Sequence, residues 1–205
     1  MQANQGAQTA PKSLSDWMRV WFKGVLDPIA GFFNRLGLHP NSMTLAGVAG
    51  NLIAAVFLAD GQFLVGGLLV LLMGPVDALD GAMARLRGDP TDFGAFVDSV
   101  TDRYSEVFIF LGLLTYFLRQ GDGWTAWGIF VAAAGSLLVS YTKARAESLQ
   151  YDGKIGILTR FERYLVLVPS LVFGIPRIGI WIIAVLANIT ALQRALYVRR
   201  QARGR

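Results

Sequence analysis

Residues 63–102 read FLVGGLLVLLMGPVDALDGAMARLRGDPTDFGAFVDSVTD. The stretch opens as material for a bilayer, an apolar run from Phe63 to Val76. It continues, still in helical register, into residues that hydrocarbon excludes. A carboxylate inside a span is costly, and where one persists it usually serves a function. Asp77, Asp80, Gly81 and Ala84 fall at i, i+3, i+4 and i+7, which is one stripe of a helix. Gly94, Asp98 and Asp102 fall at i, i+4 and i+8, a second stripe. Arg87-Gly88-Asp89-Pro90 between them is a short turn, so the two helices are expected to be antiparallel neighbours with both stripes at one end.

The rest of the chain extends this reading. Of its 205 residues 54% are apolar and 16% charged, and the mean hydropathy of +0.46 is positive. The absence of cysteine excludes a disulfide scaffold and a thiolate zinc site, and a single histidine argues against a histidine metal site or triad. In so apolar a chain a net charge of +5 points to anionic lipid headgroups or phosphorylated substrates rather than nucleic acid. The expected fold is an all-α integral membrane protein with six transmembrane helices. They run from Met43 to Ala59, Phe63 to Leu86, Phe93 to Leu118, Trp124 to Leu149, Phe161 to Phe173 and Ile178 to Val198.

Three divisions follow: a disordered tail over 1–12, an interfacial juxtamembrane helix over 13–38, and a six-helix domain over 39–200. Trp17, Met18, Trp21 and Val25 at helical spacing, with Arg19 and Lys23 among them, predict an amphipathic helix at headgroup depth. His39-Pro40-Asn41-Ser42 is expected to break that helix and to cap the next. Basic residues concentrate in the tails and in the even-numbered loops, whereas Arg119 and Arg177 are alone on the other side. That bias places both termini and the aspartates on the cytoplasmic face of a multi-pass protein of the cell membrane.

Four carboxylates in a partly desolvated place repel one another by several kcal/mol unless protonated or bound to cations. All-oxygen ligands favour Mg²⁺ or a similarly hard ion. Four bridging carboxylates suit two ions, and a two-ion site suits displacement at phosphorus. Gly81, Ala84 and Gly94 on the same stripes leave room for a ligand beside the helix backbone.

The pattern D-x-x-D-G-x-x-A-R, eight residues, then G-x-x-x-D-x-x-x-D, complete from Asp77 to Asp102, resembles the signature of the CDP-alcohol phosphotransferase family. The resemblance covers nearly the whole chain from Leu14 onward. It implies an enzyme that displaces CMP from a CDP-linked lipid or alcohol with an acceptor hydroxyl. It implies that Asp77, Asp80, Asp98 and Asp102 hold two Mg²⁺ ions, which Mn²⁺ can replace, with Asp102 as general base. It also implies nucleotide contacts from Asn41, Ser42, Met43, Thr44, Gly81, Ala84, Arg85, Thr91 and Gly94, and a homodimer.

A second cluster bears on the acceptor. Tyr141-Thr-Lys143-Ala-Arg145-Ala-Glu147, Arg160-Phe-Glu162-Arg163 and Gln193-Arg194 all sit at the predicted cytoplasmic helix ends. Arginine suits phosphate through its planar donors. The K-A-R-A-E segment with an E-R and a late Q-R pair resembles a branch of the family, the actinobacterial phosphatidylinositol phosphate synthases. That resemblance implies CDP-diacylglycerol as donor and inositol phosphate (1D-myo-inositol 3-phosphate) as acceptor, its phosphate held by Lys143, Arg163 and Arg194, with Arg145 beside them. At Leu158-Thr159-Arg160 the chain departs from the E-R sequence of that branch. The same chemistry with glycerol 3-phosphate is the alternative. Prenyl transferases share aspartate-rich helices but not the G-x-x-A-R element, and a transporter needs polar residues reaching the far side, which this chain lacks.

Overall fold

The computed structural model describes residues 14–88 and 91–204, with side chains from Gly24 onward. The expected tail and the tryptophan face at Trp17 and Trp21 lie outside what is described. Among the described residues the chain is all helix: α1 (Leu14–Arg35), α2 (Pro40–Ala59), α3 (Phe63–Arg87), α4 (Asp92–Arg119), α5 (Gly123–Ser148), α6 (Arg160–Val172) and α7 (Pro176–Arg203). Each expected span has its helix, with ends that agree within a turn except at the C terminus, where α7 runs on to Arg203. One expectation needs correction. Asn41 and Ser42 do not cap α2, because the helix already starts at Pro40, a residue with no N–H to satisfy in the first turn. His39 holds the cap position without a side-chain bond, and the Ser42 N–H donates to its carbonyl at 2.9 Å.

α2, α3, α5 and α7 are long and apolar enough to cross a membrane, and the chain is a membrane protein. α4 misses that standard because Asp92, Asp98, Asp102, Arg103 and Glu106 crowd its first half. α6 has 13 residues, which is about 20 Å of helix against about 30 Å of hydrocarbon.

The main core lies among α2, α4, α5, α6 and α7, around Leu58, Leu113, Ile129, Leu171, Ile180 and Ile183. α2 and α4 touch backbone to backbone: a Cβ on Gly112 would come within 2.3 Å of the Ala55 carbonyl oxygen, so only glycine fits there. Behind the aspartates, Leu26 and Ala30 of α1 pack on Leu79, Ala82 and Met83 of α3. These three lie on the face of α3 opposite the Asp77–Ala84 stripe, so α1 buttresses the acidic segment from behind. Asn34 Nδ2 donates to the Met83 carbonyl (3.1 Å), and Arg87 donates to Asn34 Oδ1 (2.7 Å) and the Leu38 carbonyl (2.5 Å).

α6 is keyed to α3 by a proline. Pro75 has no N–H, so the Leu71 carbonyl loses its helical partner. Tyr164 Oη supplies the replacement, sharing its proton between the carbonyls of Leu71 (2.7 Å) and Val70 (3.0 Å). Gly74 makes room, since a Cβ there would stand 2.7 Å from that hydroxyl. At the opposite end of the bundle, Arg119 pairs with Asp60 (3.4 Å) and Arg177 with Asp122 (2.9 Å). Asp122 also caps α5, and the Thr125 N–H that it accepts holds its carboxyl below the ordinary range. Tyr164→Phe, which strands the Leu71 carbonyl, is expected to cost about 1–3 kcal/mol in detergent unfolding, whereas Tyr141→Phe on the exposed face of α5 should leave stability unchanged.

Candidate active site

The two acidic stripes meet. Asp77 from α3 and Asp98 and Asp102 from α4 each offer one carboxylate oxygen, all within 4.8 Å of one another. Asp102 is 7% exposed, and its Oδ1 is buried without a hydrogen-bond partner. Its Oδ2 accepts from Arg160 Nη1, while Arg160 Nη2 donates to Asp77 Oδ2 at 2.7 Å. Arg103 lies 3.6 Å from the same Asp102 oxygen.

Asp80 is buried as well, within electrostatic reach of Asp98 and Asp77 but outside the 4.8 Å group. Its Oδ2 accepts from Thr44 Oγ1 and its Oδ1 from the Gly81 N–H, both at 2.5 Å. The reason is the i+3 step, which turns Asp80 about 60° around α3 from Asp77, toward α2. The same face of α2 brings Gly47 against Asp77, the carboxylate lying 3.5 Å from where a Cβ would stand.

Of the residues expected around a nucleotide, Thr44 and Gly81 touch the acidic residues through Asp80. Thr44 is buried on Asp80, and Asn41 and Ser42 are exposed in the first turn of α2. Met43 packs into the α1–α3 apolar cluster. Gly81 has bare backbone, with Arg85 Nη1 3.3 Å from its missing Cβ, and Ala84 is half-buried one turn on. Thr91 caps α4 by accepting the Gly94 N–H at 3.0 Å.

The basic residues expected around an acceptor already have protein partners. Arg163 is buried and forms a two-point pair with Glu106, at 2.7 and 3.1 Å. Arg194 is buried too, and its bonds go to the backbone carbonyls of Ile155 (2.7 Å) and Val139. Arg163, Glu147 and Glu162 lie within electrostatic reach of Arg194. Arg145 and Arg194 line one open cleft of about 170 Å³ with Tyr141 and Thr142. Lys143 is exposed, 3.9 Å from Glu147.

Sequence reasoning overlooked two groups. Glu106 continues the Asp98–Asp102 series by another i+4 step, so its spacing was the available signal. Arg160 is read from the sequence only as part of the basic segment that opens the fifth span, with no role at the aspartates. Nothing in its neighbourhood in the chain marks it as the partner of Asp77, 83 positions away.

Three converging carboxylates, one with a buried oxygen lacking any proton donor, fit a hard divalent cation. An apolar helical bundle with such a triad at one end defines a metal-dependent membrane enzyme. The family model for CDP-alcohol phosphatidyltransferases matches residues 37–193. The chain belongs to the CDP-alcohol phosphatidyltransferase family.

Among its relatives, a phosphatidylinositol phosphate synthase of Streptomyces avermitilis is 38% identical, over 92% of this chain and 84% of that one. An archaetidylinositol phosphate synthase of Pyrococcus horikoshii is 35% identical over 87% of this chain and 93% of its own. The phosphatidylinositol phosphate synthase of Mycobacterium tuberculosis, solved with CDP-DAG bound, superposes with a TM-score of 0.80 at 31% identity, covering 85% of this chain and 93% of that one. The same enzyme in complex with manganese and citrate also gives 0.80, at 32% identity over 84% and 88%. In this chain, Asp98→Asn removes one charge and one ligand from the triad and should weaken Mn²⁺ binding by about tenfold or more, as read by titration of purified protein.

Proposed function

We propose that the protein is a phosphatidylinositol phosphate synthase, transferring the phosphatidyl group of CDP-diacylglycerol to inositol phosphate with release of CMP. The observation that carries this reading is the convergence of Asp77, Asp98 and Asp102 within 4.8 Å, in a chain of this family. Asp77, Asp80, Asp98 and Asp102 form the acidic ligand set. Divalent ions bound there supply positive charge that stabilises the departing CMP.

The chain's own groups do the rest. Asp102 takes the proton of the acceptor hydroxyl as its oxygen bonds to the β-phosphorus. The bond from that phosphorus to the bridging oxygen then breaks, and the electron pair leaves with CMP. The buried, unpartnered Oδ1 supports this role, since a base needs a free lone pair in a place water does not fill. Gly81 lets a ligand approach α3 backbone with Arg85 alongside. Asn41, Ser42, Met43, Thr44, Ala84, Thr91 and Gly94 complete the donor-lipid side.

Lys143, Arg145, Arg163 and Arg194 are assigned to the acceptor phosphate. Arg194 carries the argument: it is a buried cation bonded only to neutral carbonyls, next to a second buried cation. Arg163 is already matched by Glu106, so it is the charge of Arg194, with no carboxylate hydrogen-bonded to it, that favours an incoming anion.

In the bilayer we read α2 to α7 as six spans, α1 as the interfacial helix, and the assembly as a homodimer in the cell membrane. The distribution of basic residues supports cytoplasmic termini and a cytoplasmic site.

The test is CMP release by purified protein from CDP-diacylglycerol with either inositol phosphate or glycerol 3-phosphate. Inositol phosphate should be the faster acceptor; faster turnover with glycerol 3-phosphate would overturn the assignment. Chelation should stop turnover and Mg²⁺ or Mn²⁺ restore it. Asp102→Asn should lower kcat by about 100-fold or more and leave donor-lipid binding partly intact.

A further inference from the structure

Arg160 is neither in the acidic ligand set nor among the four residues assigned to the acceptor phosphate, yet its head touches more of the triad than any other described side chain. It is the first residue of α6, at the end of a connection that carries no helix from Leu149 to Thr159. One planar head spans two helices. Nη2 donates to Asp77 Oδ2 of α3, and Nη1 donates to Asp102 Oδ2 of α4. The exposures are unequal: the arginine side chain is 51% exposed, the two carboxylates 11% and 9%. The cation therefore covers the acidic cluster from its open side.

The other charges around it differ in kind. Asp98 completes the triad without bonding to Arg160. Glu106, also within reach of Arg160, is held by Arg163, and Arg103 lies 3.6 Å from Asp102 while donating to the Ser99 carbonyl.

We propose that Arg160 is a built-in counter-ion that shares Asp77 and Asp102 with the divalent ions and thereby sets the affinity of the metal centre. The inference rests on the metal-centre reading above. A carboxylate oxygen in a charge-assisted hydrogen bond offers less negative charge to an incoming ion. Asp77 and Asp102 therefore bind an ion only to the extent that the guanidinium yields. Half exposed and set at a helix start, Arg160 gives up little burial when it yields. The arrangement offsets part of the cluster's negative charge when no ion is bound, and its cost appears as weakened ion binding. Arg160 is a positioning residue in this scheme; it acts on the reaction through the carboxylates.

The experiment is Mn²⁺ titration of purified full-length protein in detergent without substrate, following the free-ion signal by electron paramagnetic resonance, with thermal unfolding in parallel. Arg160→Gln should bind Mn²⁺ about tenfold more tightly, the scale of one charge-assisted hydrogen bond. Arg160→Lys, which keeps the charge but loses the two-point fork, should fall between Gln and wild type. Without added ions Arg160→Gln should unfold at lower temperature than wild type, and Mn²⁺ should raise its Tm by more than it raises that of wild type.

Unchanged or weaker Mn²⁺ binding in Arg160→Gln would overturn the proposal. So would equal tightening in Arg103→Gln, which removes a charge beside Asp102 but no hydrogen bond to it, because the effect would then belong to net charge alone. A wild-type protein that takes up no Mn²⁺, or whose uptake is unaffected by Asp98→Asn, overturns the metal-centre reading and this inference with it. Ion uptake that depends on Asp98 but not on Arg160 overturns this inference alone.

Discussion

Negative charge gathered in a poorly solvated place is the constraint that organises this molecule. Like charges a few ångströms apart repel by several kcal/mol at the effective dielectric of a protein edge, and the apolar helices around the cluster offer little water to screen them. Each neighbouring element contributes an answer. α2 donates the Thr44 hydroxyl to Asp80, α3 turns its own Gly81 N–H onto the same carboxylate, and α6 lays Arg160 across Asp77 and Asp102. What these contacts leave over, the bare Oδ1 of Asp102 and the mutual proximity of three carboxylates, is the capacity to hold cations.

α6 does the joining. Arg160, Arg163 and Tyr164 occupy adjoining positions of its first turns and reach three different targets: the acidic triad, Glu106, and the carbonyl freed by Pro75. Along α4, Asp102 and Glu106 are one turn apart, so two arginine–carboxylate pairs run side by side between the helices. They are not equivalent. Arg163 is 3% exposed and held at two points by Glu106; removing either partner would leave a buried charge, which makes the pair a fixed strut. Arg160 is half exposed, so its head can move aside without opening the core. One helix thus supplies a permanent link and a replaceable one.

Much of this was legible in the chain. Helix positions followed from apolar run lengths, and the Asp77 and Asp98–Asp102 stripes converge as the one-sided spacings and the short turn between the helices lead one to expect. Asp80 shares the stripe with Asp77 and also reaches Thr44 of α2, a contact that spacing alone does not give. One departure has a local cause. Asn41 and Ser42 looked like caps because of their residue types, but Pro40 begins the helix ahead of them. The long-range partners were out of reach for another reason. Tyr164 and Arg160 pair with residues more than eighty positions away, and no periodicity encodes which helix ends will meet. Pro75 did carry a clue, since a proline within a helix leaves a carbonyl that something must satisfy.

The two helices that fail as independent spans, α4 and α6, are those that bring opposite charges to the site. α4 has no charged residue from Val107 to Leu118, about 18 Å of helix. α6 offers a similar length, and a bilayer's hydrocarbon is about 30 Å thick. Both deficits fall at the same end, where α4 begins and α6 begins. Charged side chains stand there in place of apolar ones, which makes that corner the polar end of the bundle. At the opposite end the described ionic pairs join helix ends to cap residues, Arg119 with Asp60 and Arg177 with Asp122, and the core between is apolar. The polarity therefore stops partway into the bundle, which suits an indentation open to one side and not a path through. A reaction joining a water-soluble polyol phosphate to a lipid that never leaves the bilayer needs such a place, where a nucleotide can arrive from water while acyl chains remain in oil. In this chain the charged starts of α4 and α6 hold the polar groups that such a place requires.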